Sequence, residues 1–142
     1  MCSTGWGTVL RPETRARARA LQLLYAWELQ GRPNLRTVAD GLGDGGPGAD
    51  RRAVTLAQAV AADPARLDRE IAAAVEHWRM ERIGVVERAI LRLAVCELMD
   101  GTAPAPVVID EAIRLARWFA GPRAPAFING VLDPIARGLG RL

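Results

Sequence analysis

The segment from about Ile83 to Met99 constrains the fold more than any other part of the sequence. Apolar residues such as Ile90 and Leu93 fall on nearly every side of the helix that its spacing predicts. A helix that is apolar all round must be covered by other elements, so it belongs in the middle of a bundle. Glu97 also projects from an apolar face, and a buried carboxylate needs a hydrogen-bond donor there.

Six further segments have helical periodicity, and none has the alternating pattern of a strand. They cover about 13–29, 35–42, 49–62, 64–78, 107–120 and 126–137. Asp63 and Pro64 supply an N-cap and a first helical residue, and Pro134 should kink the last helix or end it early. The loops are 43–48, which is rich in glycine and expected to be flexible, 101–106 and 121–125. We therefore predict one all-α domain over residues 1–142, a seven-helix bundle after an N-terminal arm of about 1–12.

Several classes of function are disfavoured. No run of about 18 apolar residues occurs, and residues 1–10 lack the apolar core of a signal peptide, so a cytoplasmic protein without membrane contact is expected. Cys2 and Cys96 are too few and too far apart for a disulfide framework or a thiolate zinc site, and Cys96 is expected in the core. No nucleotide-binding or catalytic motif occurs, and the lone His77 suits a structural role near a helix end. We expect no catalytic residue, metal ligand or cofactor.

The positive charge is concentrated at the N-terminal end. Residues 1–36 carry six arginines and two glutamates, whereas the rest of the chain has thirteen arginines and fourteen acidic residues. In a helix Arg15, Arg19 and Gln22 share a face with Tyr25 nearby, and Arg17 points elsewhere unless the segment is an extended arm. Arginine suits phosphate groups and unstacked bases, so this pattern fits either a nucleic-acid surface or an ordinary solvated helix.

Four blocks of sequence, in order, resemble the NusB family. They are RARARALQLLYAWEL at 15–29, WxxERI followed by VERAILRLAVCEL within 78–98, VVIDEAIRLA at 107–116 and FINGVLD at 127–133. The similarity is strong over about 10–30 and 64–137 and weak through the glycine-rich middle. Because four ordered blocks agree, the chain is identified as a member of this family on its sequence.

The resemblance implies a seven-helix fold of two small helical halves that antiterminates transcription without being an enzyme. Proteins of this family pair with the ribosomal protein NusE, bind boxA-type RNA of ribosomal RNA leaders and act in the RNA polymerase antitermination complex. It implies a first RNA-facing edge at Arg15, Arg17 and Tyr25, with Arg19 and Gln22 as neighbours. It implies a second edge at Phe119, Arg123, Phe127 and Asn129. Core packing is the alternative role for the two phenylalanines, and capping of the seventh helix is the alternative for Asn129.

Three features depart from the family pattern. Asp110 replaces the usual Asn, Arg123 lies in a loop that is often acidic, and Trp118 falls on the outer face of its helix, as a partner surface would. Two other functions stay open: an accessory domain like the one that precedes certain ribosomal RNA cytosine methyltransferases, or a protein-interaction module without RNA binding. A homodimer also stays open.

Overall fold

The computed structural model describes residues 11–43, 47–75 and 80–142, with the side chains of 47–50 excepted. Seven α-helices run through these ranges, together with one 3-10 turn at Met80–Arg82. They are α1 (Pro12–Leu29), α2 (Leu35–Leu42), α3 (Pro47–Ala62), α4 (Pro64–Ala74), α5 (Val85–Asp100), α6 (Ala105–Phe119) and α7 (Ala124–Gly138). No strand occurs within the described ranges, so the prediction of an all-α, seven-helix fold is confirmed.

The chain divides into two compact units, residues 1–58 and 59–142, with the boundary inside α3. In the first unit α1 packs against α2. Apolar residues that recur at helical spacing along α1 form its buried face: Ala16, Ala20, Leu23, Leu24 and Trp27. The indole N–H of Trp27 donates to the Pro33 carbonyl at 3.0 Å. This bond satisfies the polar edge of a buried aromatic ring and fixes the turn that leads into α2.

The second unit is built around α5, which packs against α4, α6 and α7. Every residue from Ala89 to Leu98 is buried, including Arg92 and Glu97. The prediction from the apolar pattern of this segment is therefore confirmed: α5 is the central helix. Cys96 is buried with it, as expected for a small core residue.

Three helices begin two residues earlier than predicted, and a proline in the first turn explains each case. The prediction ended the loops at 48, 106 and 125, but α3 begins at Pro47, α6 at Ala105 and α7 at Ala124. Pro106 and Pro125 are the second residues of their helices. The N–H groups of a first turn have no partner within the helix, so proline loses nothing there. Residues 44–46 and the arm before Arg11 lie outside the described residues, so the expected flexibility of the loop is not addressed.

Two helix ends also differ from the prediction. Helix α4 ends at Ala74 and is capped by Val75, whose N–H donates to the Ile71 carbonyl at 3.0 Å. The predicted end at Trp78, and His77 beside it, lie outside the described residues. Helix α7 runs through Pro134 to Gly138, so the expectation of an early end is wrong. Gly130, whose carbonyl loses its partner at Pro134, is exposed like Pro134, so water can solvate that carbonyl.

Candidate nucleic-acid interface

The outer face of α1 presents a polar and an aromatic side chain one turn apart. Gln22 and Tyr25 are both exposed, and the exposed fraction of Tyr25 is 40%. Residues three apart on a helix are neighbours, so the phenol ring and the amide form one small surface. A phenol ring that is open to solvent on a rigid helix can stack on an unpaired base, and the amide can bond to its edge.

Arg19 lies beside this surface, and two hydrogen bonds hold its side chain in place. Its Nη1 donates to Gln22 Oε1 at 3.3 Å, and its Nη2 donates to the Gly43 carbonyl at 2.7 Å. Gly43 is the C-cap of α2, with a left-handed φ of 84°, so the arginine satisfies a carbonyl at a helix end. These two bonds hold the half-buried guanidinium beside Gln22 on the outer face of α1. Arg15 lies one turn earlier and is half-buried.

Arg17 does not lie on the exposed face. Its exposed fraction is 8%, which places it among the buried charged residues of the chain, together with Arg92, Glu97 and Glu111. The expectation that Arg17 points away from Arg15 and Arg19 agrees with this burial. Most of the side chain is out of reach of a ligand in solution, so we assign Arg17 mainly to stability.

The second set of residues lies where α6 passes into α7. Arg123 is the N-cap of α7 and is exposed, whereas Phe119 and Phe127 are half-buried and keep part of their rings accessible. Asn129 is exposed and lies inside α7, five residues after the first helical residue. The alternative that Asn129 caps this helix is therefore wrong. The exposed amide can instead meet a ligand.

Trp118 adds an aromatic surface beside this set. Its exposed fraction is 40%, which agrees with the expectation that it lies on the outer face of α6. The indole ring meets the Phe119 ring edge to face, with centroids 6.4 Å apart and planes at 88°. Such an edge contact holds the indole without covering both of its faces. Family resemblance did not select Trp118 as an RNA residue, although its helical position already indicated exposure.

The charges along the chain around the second set favour an anionic ligand. Between Glu111 and Asp133 the chain carries three arginines and no acidic residue. The Nη1 of Arg114 lies 3.7 Å from Glu111 Oε2. Asp133 in turn is bonded to Arg137 at 2.9 Å, which offsets its charge. The segment that joins α6 to α7 is therefore uniformly positive.

The described residues offer no reactive group at either set. Burial and the nearby Asp100 carboxylate raise the pKa of the Cys96 thiol to about 11, so the thiol stays protonated near neutral pH. No cluster of three or more potential metal ligands occurs in the described ranges. None of the helices described is long and apolar enough to cross a membrane. What both sets can do is hold an anionic, aromatic ligand through reversible contacts.

The structure thus gathers the predicted residues into two groups, one in each unit. The first comprises Arg15, Arg19, Gln22 and Tyr25 on α1, and the second comprises Phe119, Arg123, Phe127 and Asn129 at the start of α7 and the end of α6. Guanidinium groups beside accessible aromatic rings, carried on rigid helices, define an all-helical protein of the nucleic-acid-binding class.

The comparisons with known proteins identify the family. The model of the NusB family matches residues 14–137, so the chain belongs to the NusB family. It is 43% identical over 127 residues to the transcription antitermination protein NusB of Solibacter usitatus, covering 87% of each chain. It is 40% identical to that of Sorangium cellulosum, covering 89% of this chain and 92% of the other. Because these relatives match over most of their own length, the accessory-domain alternative loses its support.

A solved structure shares the fold. The crystal structure of antitermination factors NusB and NusE in complex with double-stranded RNA contains a chain that matches this one with a TM-score of 0.77. The two are 28% identical, and the match covers 92% of this chain and 99% of the other. The seven helices described above are therefore a NusB fold.

Proposed function

We propose that this protein is a transcription antitermination factor that binds boxA-type RNA together with the ribosomal protein NusE. It acts in the cytoplasm, on nascent RNA, as part of an RNA polymerase antitermination complex. The observation that carries the proposal is that each unit has an aromatic and a guanidinium side chain close together in sequence, the exposed Tyr25 with the half-buried Arg19 and the half-buried Phe119 with the exposed Arg123. Membership in the NusB family and the NusB–NusE–RNA structure support the choice of partners.

Two kinds of contact would contribute to RNA binding, one to affinity and one to sequence preference. Arg15, Arg19 and Arg123 would neutralise phosphates, which contributes affinity that falls as salt rises. Tyr25, Phe119 and Phe127 would stack on bases, while Gln22 and Asn129 would bond to base edges, which contributes the preference for sequence. Reading a base edge in this way needs an unpaired strand, because pairing occupies the Watson–Crick edges in an RNA duplex and its major groove is too narrow for side chains.

NusE would complete the RNA surface. The residues proposed here supply few direct contacts, and all three arginines in α1 are partly or largely buried. Binding by this chain alone is therefore expected to be weak. A partner that adds further contacts to the same RNA raises the affinity through a high effective concentration.

Fluorescence anisotropy with a labelled boxA-type RNA tests the proposal. The RNA is titrated with this protein, with NusE and with both, at two salt concentrations, beside a scrambled strand and a duplex of the same sequence. The duplex is included because the similar NusB–NusE structure holds double-stranded RNA. We expect the mixture to bind the boxA-type strand more tightly than the scrambled strand. Equal affinity for the two strands in the presence of NusE would overturn the proposal.

Two variants separate the kinds of contact. Arg123→Ala should reduce the slope of log affinity against log salt by about 0.7, the value for one phosphate of a single strand. Tyr25→Ala should lower affinity at least about fivefold and leave that slope unchanged, since stacking carries no charge. Arg69→Ala is a matched control because Arg69 is an exposed arginine on α4 outside both groups.

A further inference from the structure

Trp118 is a large aromatic side chain that the predicted RNA contacts do not include. It lies in the last turn of α6, and 40% of its surface is exposed. A soluble domain commonly keeps some apolar side chains exposed, so exposure alone has no functional meaning. The residues around the indole indicate a function for it.

The indole contacts the neighbouring Phe119, and arginines flank it along the chain. The edge-to-face contact with Phe119, at 6.4 Å between centroids, restrains the ring. Arg117 precedes it in the same turn and is exposed, Arg114 lies one turn earlier on the same side, and Arg123 follows in the next loop. No acidic residue occurs between Glu111 and Asp133, so the charged residues that are nearest to Trp118 along the chain are arginines.

The same face is a poor docking surface for a protein helix. Its other exposed apolar residue, Val107, lies eleven residues earlier on α6, which separates the two by about 16 Å along the helix. Asp110 and Arg114 are exposed between them. The core of a protein interface is a contiguous apolar patch with few charges, whereas an isolated indole among arginines fits one planar base with its phosphates.

We propose that Trp118 is a stacking site for one unpaired base of single-stranded RNA, with Arg117 and Arg123 on the flanking phosphates. This inference rests on the proposed function and extends its second RNA edge outward from Phe119 onto the face of α6. Aromatic stacking tolerates any base. Trp118 therefore raises the affinity and lengthens the stretch of RNA that is bound, and it adds little preference for sequence. A chain with Trp118 should engage about one nucleotide more than a chain without it.

Two substitutions at this position test the inference. Trp118→Leu keeps an apolar side chain but removes stacking, and Trp118→Phe keeps a smaller stacking surface. Affinity for the boxA-type strand is measured by anisotropy with NusE present, and affinity for NusE is measured without RNA. Tryptophan fluorescence is followed during the same RNA titration, with Trp118→Phe as the reference that removes the signal of this one residue.

We expect Trp118→Leu to lower RNA affinity at least about fivefold, with Trp118→Phe between it and the wild type. Part of the RNA-induced quenching of the wild type should be missing in Trp118→Phe. If Trp118→Leu does not fold, the comparison of quenching between the wild type and Trp118→Phe is the test of the inference. Equal RNA-induced quenching in these two proteins then overturns it.

The remaining outcomes separate this inference from the proposed function. Unchanged RNA affinity in Trp118→Leu, beside a loss in Tyr25→Ala, overturns the role of Trp118 and leaves the proposed function standing. Weaker binding of NusE to Trp118→Leu without RNA shows that the face is a protein-docking surface and overturns the inference in another way. Failure of the wild-type protein with NusE to bind any RNA overturns both proposals.

Discussion

Arg92 and Asp68 form a two-pronged ion pair between the central helix α5 and its neighbour α4. The Arg92 Nε donates to Asp68 Oδ1 at 2.7 Å, and Nη2 donates to Oδ2 at 3.0 Å. The arginine side chain is 7% exposed and the aspartate side chain 30%. A helix that is covered on all sides can carry an arginine because the matched carboxylate satisfies two of its donors.

Breaking this pair should destabilise the second unit. Asp68→Ala removes the carboxylate that accepts two hydrogen bonds from the buried guanidinium, and Arg92→Ala leaves a cavity and removes both of these donors from a carboxylate that water partly reaches. We expect each substitution to lower the free energy of unfolding by roughly 2–4 kcal/mol. The double variant should lose much less than the two losses together, because the residues act as one unit. Urea unfolding measures all three.

Arg69→Ala is the control for that series. Arg69 is exposed on α4, next in sequence to Asp68, and it should change the free energy of unfolding by no more than about 0.5 kcal/mol. A loss in Arg92→Ala as small as in Arg69→Ala would show that the ion pair contributes nothing to stability.

The arginines of α1 should differ in how much they contribute to stability and to RNA binding. We expect Arg17→Ala, at 8% exposure, to lower the free energy of unfolding by roughly 1–3 kcal/mol. Arg19→Ala should cost about 1 kcal/mol, because the Gly43 carbonyl at the end of α2 loses its donor. Tyr25→Ala, at an exposed position, should cost no more than about 0.5 kcal/mol. Thermal unfolding of the three variants beside their RNA affinities tests this division, and equal stability of Arg17→Ala and wild type would refute it.

Local periodicity accounts for the parts of the fold that the sequence predicted. The apolar pattern around Ile90 was enough to place α5 at the centre, since no other arrangement covers all of its sides. The starts of α6 and α7 differ from the prediction because proline is typical of loops, and the sequence therefore predicts loops that include Pro106 and Pro125. Proline in a first turn and proline in a loop differ only in the conformation of the residues that follow, which composition does not reveal.

The predicted site depended on contacts that periodicity does not contain. Helical spacing separated Arg17 from Arg15 and Arg19, but its burial results from packing. The bond from Arg19 to Gly43 joins residues 24 apart in sequence, as does the pair of Arg92 with Asp68. Such pairs follow from tertiary structure, so a single sequence gives no direct signal for them. Trp118 was different, because its position on the helix face already predicted exposure.

Stability should fall in alkaline solution through Cys96. Burial raises the pKa of its thiol from 9.0 to about 11 in the folded state, so the fold favours the protonated form. The contribution is fully present below pH 9 and is lost as the pH rises to about 11, because the unfolded chain releases this proton first. We expect a loss of roughly 1–2 kcal/mol across this range.

Cys96→Ala is the matched control for the alkaline experiment. The chain contains no lysine, so the most common source of proton release in this pH range is missing, and the contribution of one thiol can be resolved. Urea unfolding under reducing conditions, below pH 9 and at about pH 11, should show a smaller loss in Cys96→Ala than in the wild type. The same loss in both proteins would mean that Cys96 is not the responsible group.

Replacing Pro134 should stabilise the protein, whereas most substitutions destabilise a protein. Pro134 lies inside α7 and is exposed, so it removes one backbone hydrogen bond from the helix while contributing little burial. Pro134→Ala restores the N–H that the Gly130 carbonyl lacks and favours the helical conformation, although the unfolded chain gains some freedom. We expect the free energy of unfolding to rise by about 1 kcal/mol or more.

Pro64→Ala is the control, because Pro64 is the first residue of α4, where proline is already suited to the helix. Calorimetric melting of both variants should raise the Tm for Pro134→Ala alone, and a lower Tm for that variant would show that α7 is packed around the proline.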